Sequence, residues 1–176
     1  MNLSAEVAEL FYPVTYEAFE IRRDSAGAGA SRGGLGAQLQ IRFKGHAELS
    51  IETSRTIEGS PGIEGGHRSP VQTLFKVSPN GDREVIGGWK SYNEWVNPLL
   101  AAYRFDGGEA FRIETTGGGG LGNPLVREPE KVLEDVLDDY VSIEAARERY
   151  GVVIDPSRLE IDRAATEDLR SKRVGE

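Results

Sequence analysis

Residues 110–140 read AFRIETTGGGGLGNPLVREPEKVLEDVLDDY, and the character of the chain changes within that stretch. Ala110 to Thr115 is strand-like, a short apolar and polar mixture with turn signals before it. Gly117 to Gly120 and Gly122 break any regular element. Beyond them, Val132, Leu133, Val136, Leu137 and Tyr140 follow the three-to-four spacing of an amphipathic helix, and Pro129 suits its first turn. A strand-forming first portion therefore passes into a helical last portion, which is the α+β class.

Working outward toward the carboxy terminus, Ser142 is placed to cap a second helix through Tyr150, with Gly151 ending it. Asp162 is placed to cap a third, containing Ala164, Ala165 and Leu169. Arg170 to Glu176 is expected to be a frayed charged tail. Toward the amino terminus, Leu39, Ile41 and Phe43 alternate with Gln38, Gln40 and Arg42, which predicts a half-buried strand over Ala37 to Phe43. Ala47 to Thr53 continues in the same way, and Lys44-Gly45-His46 reads as a hairpin turn between the two. Val14 to Ile21 is a further strand by imperfect alternation. Arg22 to Gly36 carries five glycines and forms a loop. Ile57 to Pro70 is a second long loop. Gln72 to Val77 is strand-like and leads into the turn Ser78-Pro-Asn-Gly-Asp82. Val85 to Trp89 and Asn97 to Phe105 complete a mainly antiparallel β portion over residues 9–116, followed by helices over residues 124–174. One domain over residues 1–176 is the expectation for this length.

Composition excludes several classes. The net charge of -8 opposes attraction to nucleic acid or an anionic membrane surface, because phosphate binding needs clustered Lys and Arg. No cysteine is present, so disulfides, thiolate nucleophiles and cysteine-ligated zinc are ruled out. No apolar run approaches the roughly 20 residues that span a bilayer, and Met1 to Leu10 lacks the basic start and apolar core of a secretory signal. A cytoplasmic location is the expectation that fits.

The candidate functional residues cluster in the glycine loops. Gly117, Gly118, Gly119, Gly120 and Gly122 either present N–H groups to an anion or form a structural or partner-facing turn. No P-loop or GxGxxG pattern accompanies them, which favours the second reading. Asp24 and Arg32, among Ser25, Gly27, Gly29, Gly33, Gly34 and Gly36, suggest an ordered loop. There Arg32 either makes a local salt bridge or reaches an interface through its planar fork. Asn123 closes the second cluster. His46 and His67 sit in polar turns and read as solvated, since no metal-ligand spacing accompanies them. Glu134, Asp135, Asp138 and Asp139 read as the solvated face of the helix. Trp89, Tyr92 and Trp95 read either as a contact patch or as core.

A series of motifs in fixed order also carries a resemblance. These are Tyr12-Pro13, Arg23-Asp-Ser-Ala-Gly-Ala-Gly29, Arg32-Gly-Gly-Leu-Gly36 and Pro61-Gly-Ile-Glu-Gly-Gly66, then Thr116-Gly-Gly-Gly-Gly-Leu-Gly-Asn-Pro-Leu125 and Arg127-Glu-Pro-Glu-Lys-Val-Leu-Glu-Asp-Val136. Val141-Ser142, Glu144-Ala-Ala-Arg147, Tyr150-Gly-Val-Val153 and Asp162-Arg-Ala-Ala-Thr166 follow. Together they resemble the carboxy-terminal module of the hydantoinase B/oxoprolinase family. The chain departs from the family at Arg23 (commonly proline), Ala26 in the Ser25-Ala26-Gly27 step (a second glycine is favoured), Asn123 (commonly aspartate) and Asp139 (commonly glycine). Members are several times longer, and the resemblance places this chain after their large amino-terminal region. It implies a small or split subunit of an ATP-dependent hydantoinase/oxoprolinase-type amidohydrolase, or of a related ketone carboxylase. The expected partners are a hydantoinase A-like ATP-using subunit and a larger hydantoinase B-like chain. ATP and a divalent metal would be held by those partners, and no catalytic, cofactor or metal residue is carried over to this chain. The competing reading is an independent noncatalytic protein- or ligand-binding module derived from the family. A third is an excised piece of a longer enzyme.

Overall fold

The computed structural model describes residues 4–174 and divides into two interleaved compact units. The first unit comprises residues up to Glu20, Ala37–Glu58 and Val71–Thr115. It holds helix α1 (Ala5–Phe11) and strands β1 (Val14–Ile21), β2 (Ala37–Phe43), β3 (Ala47–Ile51), β4 (Thr73–Val77), β5 (Arg83–Ser91), β6 (Glu94–Val96), β7 (Leu100–Phe105) and β8 (Ala110–Glu114). Six strands form one sheet in the order β1-β2-β8-β4-β5-β6, and β3 pairs with β7 in a second.

In the larger sheet, Leu39 lies opposite Ile113, Ile41 opposite Phe111 and Leu74 opposite Ile113. These alternating positions share one face, which is why the period-two pattern was readable. Phe105 anchors the core beside Leu74, Ile86, Leu100 and Phe111, with the Phe43 ring centroid 4.8 Å from its own. The β4–β5 hairpin closes at the Asn80-Gly81 signal. Gly81 has φ 94°, and its N–H donates to the Ser78 carbonyl at 3.0 Å.

The hairpin expected at Lys44-Gly45-His46 is not formed. A bend is present, but β2 pairs with β8 while β3 pairs with β7, so the bend joins strands of different sheets. The Phe43 N–H donates to Glu109 and the Lys44 N–H to Pro13, which ties the end of β2 to distant backbone. Gly45 also lacks the positive φ that a tight primed turn requires. Two elements of the first unit lie outside the sequence reading altogether. The seven residues of α1 are too few to show a helical period, and the three of β6 too few to show alternation.

The second unit comprises Ile21–Gly36, Gly59–Pro70 and the chain from Thr116 onward. It contains a 3-10 turn at Pro124–Val126, α2 (Pro129–Leu137), α3 (Ile143–Tyr150), the short pair β9 (Ile154–Asp155) and β10 (Glu160–Ile161), and α4 (Arg163–Val174). The caps read from sequence hold. The Ala145 N–H donates to Ser142 Oγ at 3.0 Å, Gly151 stands at φ 64°, and the Ala165 N–H donates to Asp162 Oδ1 at 2.9 Å. Val132, Val141, Ala145, Ala146, Tyr150 and Val152 form the core.

Three details differ from expectation. First, α2 stops at Leu137, three residues before Tyr140, because Asp139 turns left-handed at φ 59°. The Tyr140 N–H donates to the Asp135 carbonyl and the Asp139 N–H to Val136, which is the bonding of a Schellman cap. Second, Leu137 is exposed, so the buried face of α2 is centred on Val132 and Val136. Third, the tail is not frayed up to Val174. Arg170 Nε donates to the Tyr150 carbonyl at 3.1 Å and Nη2 to the Arg127 carbonyl at 2.8 Å. Burial lowers the Arg170 pKa from its ordinary value. The last two residues of the expected tail, Gly175 and Glu176, lie outside the described residues.

Candidate functional site

Within the second unit, residues 25–36, 59–70 and 116–123 are laced together main chain to main chain. The Gly27 N–H donates to Gly118 at 2.8 Å, Gly117 to Ser25 at 3.1 Å, and Gly118 to Gly34 at 2.8 Å. Ser31 and Leu121 exchange a pair, each at 3.0 Å. The segment 59–70 is a third layer. The His67 N–H donates to Ala28 at 2.7 Å and the Gly120 N–H to His67 at 3.0 Å, while Ile63 accepts from Gly122 at 2.9 Å. In the sequence Pro61 to Gly66 shows only as a motif within a loop, with no local signal that its backbone joins this site.

The glycines are required by close approach. A Cβ on Gly119 would lie 1.8 Å from the Pro61 carbonyl oxygen, and one on Gly120 would lie 2.0 Å from that of Ala28. A Cβ on Gly27 or Gly33 would lie 2.1 Å from a backbone atom and one on Gly29 2.6 Å, whereas Gly34 faces open space. Gly36 donates its N–H to the buried Ser25 Oγ at 2.8 Å, and that hydroxyl donates to the Arg22 carbonyl at 2.5 Å. The N–H groups of Gly117, Gly118, Gly120 and Gly122 are all engaged by carbonyls, so they are not available as an anion cradle. Asn123 caps the 3-10 turn, its Oδ1 accepting the Leu125 N–H at 2.9 Å.

Against this lattice sits an ion cluster that corrects the reading of α2. Asp135 is 7% exposed, not solvated. Its Oδ1 accepts Arg32 Nε at 3.1 Å and its Oδ2 accepts Arg127 Nη2 at 2.8 Å. Asp135 lies one turn beyond Val132, which puts it on the buried stripe rather than opposite it. Arg32 also donates to the Gly33 carbonyl at 3.0 Å and stands over the Tyr140 ring at 5.4 Å. Arg127 donates to the Ala30 carbonyl at 3.2 Å. Arg32 therefore does pair with a carboxylate, and the partner is supplied by a helix 103 residues away. Neither Arg127 nor Asp135 was singled out as a site residue, since each occupies an ordinary helix-flanking or helix-surface position in the sequence.

Asp24 occupies the left-handed region at φ 58°. Its Oδ1 accepts the Ser142 N–H at 2.9 Å, its own N–H donates to Tyr140, and its carbonyl accepts Arg149 Nη1 at 3.1 Å. Asp24 thus ties the first glycine loop to the start of α3. Asp139, on the same α2 end, pairs with Arg23 at 2.6 Å where both are exposed. Burial pushes the Tyr150 phenol up to about 12, so it stays protonated near neutrality.

The remaining candidates lie apart. His46 is exposed and sits 2.9 Å from Asp106 in the first unit, and the His67 side chain is exposed in the second. Among the described residues no group of His, Asp or Glu is arranged to hold a metal ion. Trp89 and Trp95 face each other across β5 and β6 with a little over a third of each exposed, and Tyr92 is almost fully exposed. They are a surface feature of the first unit. Among the described residues no helix is long and apolar enough to cross a membrane.

The α+β architecture with its glycine lattice defines a module found in larger proteins. The hydantoinase B/oxoprolinase family pattern matches residues 1–124, and the chain belongs to that family. It is 35% identical over 173 residues to the caprolactamase subunit beta of Pseudomonas jessenii, a match covering 97% of this chain and 28% of the relative. The crystal structure of the ATP-dependent caprolactamase from the same organism superposes with a TM-score of 0.79 at 30% identity, covering 97% of this chain and 28% of that one. A nucleotide-free acetone carboxylase structure shares the fold at a TM-score of 0.71 and 20% identity, over 98% of this chain and 26% of that one. The chain spans little more than a quarter of the length of the relatives it matches.

Proposed function

We propose that this chain is a small or split subunit of an ATP-dependent hydantoinase/oxoprolinase-type amidohydrolase, or of a related ketone carboxylase. Its part is to support or complete a site made by larger chains. The observation that supports the reading is kinship: the chain is 35% identical over 173 residues to a relative that is itself named as a subunit. Its partners on this reading are a hydantoinase A-like subunit that uses ATP and a larger hydantoinase B-like chain. ATP and any divalent metal belong to those chains.

The glycine loops are the proposed site wall or interface, formed by Asp24, Ser25, Gly27, Gly29, Arg32, Gly33, Gly34, Gly36, Gly117 to Gly120, Gly122 and Asn123. The supporting observation is their rigidity. Backbone packed on backbone with its hydrogen bonds engaged holds a surface to within a fraction of an ångström, as a site wall must. The charged groups nearest the lattice, Arg32, Arg127 and Asp135, are committed to one another, which suits a supporting role better than proton transfer. The test is a turnover assay of the purified chain with ATP, magnesium and a hydantoin, 5-oxoproline, a lactam or acetone. No turnover is expected. ATP-dependent turnover by the pure chain would overturn the proposal.

A further inference from the structure

The second unit carries a cavity of about 370 Å³ whose lining includes His67, Asn123, Glu148, Arg149 and Arg173. That volume falls in the range of small-ligand pockets, roughly 300–1,000 Å³. Its chemistry is unlike that of the rest of the chain. The protein as a whole carries a net charge of -8, yet two arginines and a histidine line this cavity beside a single acid.

Among the described residues neither guanidinium is paired with a carboxylate. Arg149 donates Nη1 to the Asp24 carbonyl at 3.1 Å, and Arg173 donates Nη1 to the Glu148 carbonyl at 2.7 Å. Both are half-buried, and among the described residues neither forms an ion pair with an acid. By contrast, Arg32 and Arg127 share Asp135, and Arg163 pairs with Glu130. Backbone carbonyls fix the position of a guanidinium and leave its full charge and its remaining N–H donors for another acceptor.

Asn123 adds a further donor. Its Oδ1 is committed to the Leu125 N–H, which leaves Nδ2 as the donor this lining residue has to give. The lining is therefore rich in donors and poor in acceptors. Glu148 is the one acid, and it is exposed.

We infer that this cavity binds an oxyanion, the carboxylate or phosphate of a small ligand, between Arg149 and Arg173 with Asn123 as an additional donor. Planar guanidinium forks favour such groups through charge-assisted, paired hydrogen bonds. The inference rests on the cavity alone, and stands or falls separately from the proposed assembly.

Calorimetric titration of the full chain with inorganic phosphate, and in parallel with succinate, tests it. Saturable one-to-one binding of at least one probe is expected, weakened tenfold or more by Arg173→Gln and abolished when Arg149→Gln is added. Phosphate binding without succinate binding assigns a phosphoryl ligand, and succinate binding assigns a carboxylate. Arg149→Gln also removes a bond to Asp24, so Arg173→Gln is the decisive variant, with an unchanged circular dichroism spectrum as its folding control. No saturable heat from either probe, binding that tracks ionic strength alone, or unchanged affinity in Arg173→Gln would overturn the inference.

Discussion

The two units are held together in opposite ways. In the first, stability resides in side chains: Phe105, Leu74, Ile86 and Phe111 fill the space beneath a sheet, and the backbone is occupied by ladder hydrogen bonds. In the second, three glycine-bearing segments remove side chains so that carbonyls and α-carbons touch, and a buried carboxylate shared by two arginines locks the helices against them. A side-chain core tolerates lost volume at a graded cost. A backbone lattice tolerates no added atom.

Adding one methyl group to the lattice should therefore produce the largest effect. Gly119→Ala places a Cβ against the Pro61 carbonyl, and we expect a loss above about 4 kcal/mol in chemical denaturation, beyond the usual range for point changes. Gly34→Ala, in the same loop system but facing open space, should stay within about 0.5 kcal/mol of the parent. Equal losses in the two variants would show that loop flexibility, rather than close approach, is the reason for the glycines.

Next come the two anchors. Asp135→Asn removes the carboxylate that two guanidinium groups share in a buried site and should cost about 3–5 kcal/mol. Phe105→Ala should cost a similar amount, about 3–5 kcal/mol, through lost burial and a cavity. The two should differ in salt response. High salt should move the melting temperature of Phe105→Ala and the parent alike, but should narrow the gap between Asp135→Asn and the parent if the cluster is electrostatically held. The smallest effect is a gain: Asp139→Gly relieves a left-handed aspartate at the end of α2 and should stabilise by about 0.5–1 kcal/mol, less whatever the exposed Arg23 pair contributes.

The same contrast explains what could be read before the structure. Strands β1 and β2, and helix α3 with its caps at Ser142 and Gly151, were legible with their boundaries because period and capping are local signals. The pairing of β2 with β8 and β3 with β7 was not, because strand partners 49 to 76 positions apart leave no local trace. The false hairpin at Lys44 to His46 came from assuming that neighbours in sequence pair in space. In the site, the glycine clusters and Arg32 were visible as unusual composition. Asp135 was misread as solvated, because an acid between Val132 and Val136 looks like the polar side of a helix until its two arginines are placed beside it. The family's usual glycine at position 139 was the one clue that α2 ends early.

On the proposed reading this module works with larger chains. Affinity purification of the tagged chain from its native host, followed by mass spectrometry of what is retained in stoichiometric amount, addresses it most directly. Recovery of an ATP-using hydantoinase A-like subunit together with a larger hydantoinase B-like chain is expected, and recovery of this chain alone would rule the proposal out.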